Sequence, residues 1–294
     1  MAKLTVFHLI VFCVVQGSPF LVHCPQSQPR SASIPIAASP SDDDATADFS
    51  TTGFVLLAGG KGSRMKADMP KQFLPLEGAP ILHHCLDLLL ERLPEWLGND
   101  TSPPVTLVID PMYQDEYTKL LSPYGDRVHL ASPGAERQDS VQNGVTTLLD
   151  QHPTCQWVAI HDSARPLVTL QELHNVVRDA QETGTAAVLA VPCKATIKQS
   201  VDGQTVDRTV PRDELWEVHT PQVIRAELLQ RGFARVQEEN WQVTDDVSIV
   251  EQMGEPVQLT RGEYTNLKIT TPEDMNVAAA ILRERKSPPV RLQK

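Results

Sequence analysis

From Gly53 onward the chain alternates short apolar runs with segments whose apolar residues recur at helical spacing. Runs at 54–58, 105–110, 128–131, 157–161 and 186–191 have the length and composition of strands. Helical periodicity fills 81–92, 114–121, 140–149 and 170–182 between them; in the first, Ile81, Leu82, Cys85, Leu86, Leu89 and Leu90 share one face. Alternation of this kind predicts an α/β fold: a mainly parallel sheet with helices on both faces. In such sheets ligands sit beyond the carboxyl ends of strands, where connections diverge.

The rhythm breaks at 194–210. Two alternating β-forming runs flank Asp202-Gly203, which predicts a hairpin arm at about 193–212. An isolated hairpin is marginal in water, so the arm needs a surface to pack on, and a partner subunit is one candidate. Helices follow near 225–238 and 245–252, then strands near 257–260 and 267–270. The last helix, 272–285, has a full start signal: Thr271 caps, Pro272 takes the first position, and Glu273 and Asp274 complement the dipole. Residues 53–286 make the expected domain and 287–294 a tail. There is no internal repeat.

The first 52 residues read differently. Lys3 precedes an apolar run, 4–15, too short for the roughly 20 residues of a membrane span and suited to the core of a secretory signal. Gln16-Gly17-Ser18 closes that signal-like segment (1–18), and a transit-like stretch rich in Ser, Pro and Ala follows (19–50). Residues 1–40 hold two cations and no carboxylate. The pattern resembles the signal-plus-transit leader of proteins bound for complex plastids, with Phe20 just past the cleavage point. The alternative is an ordinary secretory signal with a linker. Either way, no membrane segment is expected in the mature chain.

Composition sharpens the picture at one place. The chain carries 26 Lys plus Arg against 37 Asp plus Glu, a formal charge of −11, yet three glycines and four cations crowd into the loop after the first strand. The loop reads Ala58-Gly59-Gly60-Lys61-Gly62-Ser63-Arg64-Met65-Lys66 and runs on to Lys71. It lacks the G-K-[ST] ending of a Walker loop, and Met65 stands where a dinucleotide fingerprint needs glycine. Glycines let main-chain N–H groups approach phosphate oxygens, and Arg64 and Lys71 add charge. A phosphate-bearing ligand is the first reading and a flexible turn with solvated cations the second. An acidic chain without a broad basic face argues against nucleic acid. The five cysteines form no C-x-x-C pair, and none of the nine histidines has metal-ligand spacing, so no protein-held metal is expected.

Several stretches extend the pattern: Glu136-Arg137-Gln138-Asp139-Ser140-Val141, His161-Asp162-Ser163-Ala164-Arg165-Pro166, Thr220-Pro221-Gln222, Thr244-Asp245-Asp246 and Asn266-Leu267-Lys268-Ile269-Thr270-Thr271-Pro272. In this order, and behind L-x-A-G-G-x-G-x-R-M-x(5)-K-Q-F-L, they resemble the 2-C-methyl-D-erythritol 4-phosphate cytidylyltransferase family of the non-mevalonate isoprenoid pathway. The resemblance runs from about Gly53 to Arg285. It implies a Rossmann-like sheet of the nucleotide-diphospho-sugar transferase type, a homodimer with swapped hairpin arms, CTP and methylerythritol phosphate as substrates, and Mg2+ bound mainly through the CTP phosphates. A plastid address agrees with that pathway.

Residue by residue, the resemblance implies catalytic roles for Arg64, Lys71 and Lys268. Ala58, Gly59, Gly60, Gly62, Ser140 and Asp162 would bind the nucleotide. Arg165, Thr196, Arg212, Thr220 and Thr244 would bind the second substrate. From spacing alone Ser140 serves equally as a helix cap, Asp162 and Arg165 as a salt-bridged strand end, Arg137 as a partner for acids, Arg212 as a solvated cation, and Thr220 and Thr244 as turn hydroxyls. Ala135 stands where many members carry an acid, which removes a possible ribose contact. The rival readings are a pentitol-phosphate cytidylyltransferase, such as one using ribitol 5-phosphate, and a catalytically idle nucleotide-binding protein. The choice of CTP over UTP rests on the resemblance.

Overall fold

The structure, a computed structural model, describes residues 11–15, 18–22, 46–60, 65, 69–98 and 101–286. The chain divides into two units, Met1–Ile36 and Ala37–Lys294. In the first, Val11–Val15 and Ser18–Val22 pair antiparallel. The rest of the expected leader, and the tail 287–294, lie outside the described residues. No described helix is long and apolar enough to cross a membrane.

The second unit is built on a seven-stranded sheet. Its strands are β1 (Thr52–Leu57), β2 (Val105–Val108), β3 (Val128–Ala131), β4 (Trp157–Asp162), β5 (Ala186–Pro192), β8 (Trp216–Arg225) and β9 (Val257–Arg261), in the order β9-β5-β8-β4-β1-β2-β3. Neighbours are parallel except at β8, which runs antiparallel to both β4 and β5. The chain steps outward from β1 through β2 to β3, then returns to lay β4 on the other side of β1, pairing Leu57 with Asp162. Connections diverge there, so the crevice at the carboxyl ends of β1 and β4 is the place for a ligand.

Side chains alternate across the sheet. Phe54, Leu56, Leu107, Trp157, Ala159 and Leu189 enter one core with α1 (Ile81–Asp87) and α4 (Leu170–Thr183). Val55, Val108, Val158, Ile160, Val188 and Ile224 enter the other, with α3 (Arg137–Gln151) and α5 (Ala226–Glu239). Period-2 strands feeding both faces give each helix an apolar floor. The expected helix 81–92 continues through a π-helical turn, Leu88–Arg92, to Trp96, and Pro94 accounts for the widening because its ring clashes with the preceding carbonyls. Asp48 and Phe49, expected in the linker, join the fold: Phe49 is buried in the first core and Asp48 bonds Ser50, Thr51 and Gln181.

Two expectations about strands need correction. β8 was not anticipated because Pro221 in its middle reads as a turn. The strand accommodates the missing N–H with a register shift between Val218 and Gln222. Conversely, 267–270 is not a strand; its main-chain groups find partners elsewhere in the fold. The hairpin is present as β6 (Ile197–Gln199) and β7 (Arg208–Val210), with the Asp202 carboxylate accepting from Gln204 N and Thr205 N in the loop. Nearly all of it is exposed, Val201 to 87%.

Candidate active site

The glycine loop leaves β1 at Ala58, whose N–H donates to Val108 O and whose carbonyl accepts from the buried Gln72 amide at 2.5 Å. Gly59 must be glycine: a Cβ there would lie 2.6 Å from Pro133 Cβ, in the loop leading to α3. Gly60 has open space around it. Gly62 and Arg64 lie outside the described residues. Met65 is buried with Leu76, Ile81, Leu167, Ile269 and Ala278 in a small third core. Lys71 begins a short 3-10 turn, Lys71–Phe73, and its ammonium donates to Ile269 O at 2.8 Å. Lys71 thus touches the residue next to Lys268, across 198 positions of sequence.

Asp162 ends β4 and gathers charge. Lys268 Nζ donates to its Oδ2 at 2.5 Å, and Arg137 Nη2 to its Oδ1 at 3.3 Å. Arg137 also grips Asp246 with both terminal nitrogens, at 2.7 and 2.8 Å. Burial alone would raise the Asp162 carboxyl; Arg137 and Lys268 outweigh it and hold the group well below the usual carboxylate range. The Asp162 N–H donates to Thr220 Oγ1 at 3.1 Å, and that hydroxyl lies 3.0 Å from His161 Nδ1. Burial depresses His161 to about 4. The neutral ring donates from Nε2 to Arg165 O and accepts the Thr220 hydroxyl at Nδ1.

The α3 entrance corrects one local reading. Ser140 does not start the helix; Glu136 is its N-cap, in a reciprocal capping box with Asp139. Ser140 Oγ instead accepts from Gly134 N at 3.0 Å and donates to Glu136 O, bracing the Pro133-Gly134 loop against the helix. Arg165, implied as a substrate contact, is held within the fold. It is 8% exposed, and its terminal nitrogens donate to Asn266 O at 2.7 Å and Val218 O at 3.3 Å.

Lys71, Asp162, Thr220 and Lys268 therefore come together at the ends of β1 and β4, beside Ala58 and Gly59. Thr244 is exposed, two residues before Asp246. Thr196 and Arg212 sit on the exposed arm, where Arg212 Nη1 donates to Lys194 O. Sequence reasoning passed over Gln72, Asp246 and Asn266 as site builders and saw Arg137 only as a partner for acids. All four lie inside the quoted motifs, which was the available signal. Cations and main-chain donors around one carboxylate suit a bound polyphosphate. Among the described residues no group of three or more His, Cys, Asp or Glu side chains could hold a metal ion.

Comparison with known proteins points to one family. The family model described as 2-C-methyl-D-erythritol 4-phosphate cytidylyltransferase matches residues 53–284. The chloroplastic protein of that name from Oryza sativa is 44% identical over 79% of this chain and 74% of its own length. The one from Geobacillus thermodenitrificans is 39% identical over 79% of this chain and 96% of its own. Among solved structures, 4-diphosphocytidyl-2C-methyl-D-erythritol synthase from Anaerococcus prevotii superposes with a TM-score of 0.67 at 26% identity, covering 80% of this chain and 100% of its own. The Thermus thermophilus cytidylyltransferase gives 0.62 at 29% identity, covering 79% and 99%.

Proposed function

This chain belongs to the 2-C-methyl-D-erythritol 4-phosphate cytidylyltransferase family, and on that premise we propose that it joins CTP to methylerythritol phosphate. A phosphate oxygen of the second substrate attacks the α-phosphorus of CTP, the bond to the β-phosphate oxygen breaks, and pyrophosphate leaves. The product is 4-diphosphocytidyl-2-C-methyl-D-erythritol. The observation that carries the reading is the meeting of Lys71 and the Lys268 segment at the end of β4.

Two anionic reactants repel each other, so the protein's task is alignment and charge stabilisation. Lys71, with Arg64 from the same loop, holds the triphosphate and stabilises charge at the α-phosphate. Lys268 positions the attacking phosphate from the other side. Ala58, Gly59, Gly60 and Gly62 offer main-chain N–H groups to the nucleotide, and Ser140 keeps the Pro133-Gly134 loop in place beside it. Asp162 holds Lys268 and Arg137 in register. The site fits a magnesium ion carried by the nucleotide: the carboxylates of the cluster, Asp162 and Asp246, are already engaged by cations, so the ion would be held mainly through the CTP phosphates. When bound, the ion would supply neutralisation of phosphate charge.

Thr196 and Arg212 are exposed at the base of the arm, and Ile197, Val201 and Val206 are exposed along it. A largely polar arm that also exposes three apolar side chains is suited to a second copy of the chain, whose substrate pocket Thr196 and Arg212 would then complete. The segment ahead of Asp48, where the folded domain begins, acts as a plastid-targeting leader; the chloroplastic designation of the rice relative supports this.

The test is turnover. The purified protein is incubated with CTP and either methylerythritol phosphate or ribitol 5-phosphate, and pyrophosphate release is followed. Preference for methylerythritol phosphate is expected. Preference for the pentitol, or no release with either, overturns the proposal.

A further inference from the structure

Lys268 lies on a segment with no regular secondary structure, so something other than a strand ladder must fix its ammonium. The fold pins the segment on both sides. Downstream, Ile269 N donates to Ala164 O, Ile269 O accepts from Lys71, and the Ile269 side chain is buried in the third core. Upstream, the fully buried Asn266 donates from Nδ2 to Thr220 O at 3.0 Å, while its own carbonyl accepts from Arg165. The chain of contacts closes on itself: Arg165 N donates to Asp162 O, and Asp162 N donates to Thr220 Oγ1.

We propose that Arg165 is a positioning residue for the transfer reaction, acting with Asn266 to set Lys268 against Asp162 rather than touching substrate. The inference rests on the reading of Lys268 given above. Arg165 spans the irregular point of β8, at Val218, and the Lys268 segment, so one guanidinium locks two pieces that would otherwise move separately. A planar fork suits two divergent carbonyls, which a lysine cannot reach together.

Stability alone does not explain this arginine. Arg165 Nε and Asn266 Oδ1 are buried without a hydrogen-bond partner. Burying such groups incompletely paired costs free energy, and apolar side chains of similar volume are often equally or more stabilising. What the arrangement gains is a fixed place for an ammonium whose misplacement by about 1 Å can cost on the order of 10²-fold in rate.

The experiment is a double-mutant cycle in turnover with CTP and methylerythritol phosphate, using R165M, N266A, K268Q, R165M/K268Q and N266A/K268Q. R165M and N266A are each expected to lower kcat by about 10-fold or more. Each double variant should be no slower than K268Q alone, because both residues act through that ammonium. Losses that multiply in the doubles overturn the inference, as does a wild-type rate in both R165M and N266A. Should R165M fail to fold, the N266A cycle decides, with its melting temperature as the control. A wild-type rate for K268Q would overturn the role given to Lys268 itself, and the inference with it; slow K268Q with multiplying losses overturns the inference alone.

Discussion

The Lys268 ammonium donates to Asp162 Oδ2 at 2.5 Å, joining groups 106 positions apart in sequence. Asp162 in turn shares Arg137 with Asp246. Replacing Asp162 with Asn keeps the volume and removes the charge that holds two cations. The expected result is a fall in kcat on the order of 10²-fold. Stability should respond to pH in a definite sense. The folded carboxyl titrates below its unfolded value of about 3.9, so its contribution is complete above that pH and is lost as the pH falls toward the folded value. Urea midpoints of D162N should therefore lie below wild type at pH 7 and converge with it at acid pH; parallel curves would refute the charge argument.

Lys71 donates to a main-chain carbonyl and Lys268 to a carboxylate. Each change to Ala is expected to cost about 10²-fold or more in turnover, the scale for removing one fixed electrostatic stabiliser. K268A also leaves Asp162 with one cation fewer, so its melting temperature should fall below that of the wild type. Calorimetry checks this, and an unchanged melting point would contradict it.

Much of this architecture is legible in the amino-acid order because each strand announces its own period. Phe54, Val55 and Leu56 feed alternate faces, and Thr169 with Glu172 forms the capping box that starts α4. What was illegible depends on contacts remote in sequence. Trp216 to Arg225 carries no strand signal because Pro221 interrupts it, and its ladders with β4 and β5, both remote in sequence, make a strand of it. Residues 267–270 look β-forming, yet their partners are Ala164, Lys71 and Asp274 rather than another strand. The same remoteness hid the contacts of Arg165: nothing near it in the chain shows that its guanidinium meets Asn266 and Val218.

Gly59 offers a test of the glycine loop that leaves charge untouched. Its missing side chain lets β1's outgoing loop pass Pro133, with a Cβ predicted to sit 2.6 Å from Pro133 Cβ. Gly59→Ala must push one loop away from the other, a cost typical of overpacking at about 1–3 kcal/mol. The Michaelis constant for CTP should rise, with a smaller change for the second substrate. Pro133→Ala leaves the colliding Cβ in place but frees the ring, so the G59A/P133A pair should recover part of the loss. An unchanged CTP constant in G59A would place the nucleotide elsewhere.

His161 gives the last prediction, and its sign follows from burial. The ring is enclosed beneath Asp162, bonded to the Thr220 hydroxyl and Arg165 O, and held down to about 4 from an ordinary 6.5. Between those values the unfolded chain binds a proton that the folded chain refuses, so stability rises with pH across that window. His219, also depressed to about 4 by burial and then by Arg165, adds a second proton of the same sign. His161→Gln retains hydrogen-bonding ends without titrating. The dependence of unfolding free energy on pH between 4.5 and 6 should accordingly lose about one proton in the variant, some 1.4 kcal/mol per pH unit. Unfolding titrations at a series of pH values read that slope directly, and an identical slope in wild type and H161Q would mean the buried ring does not refuse its proton.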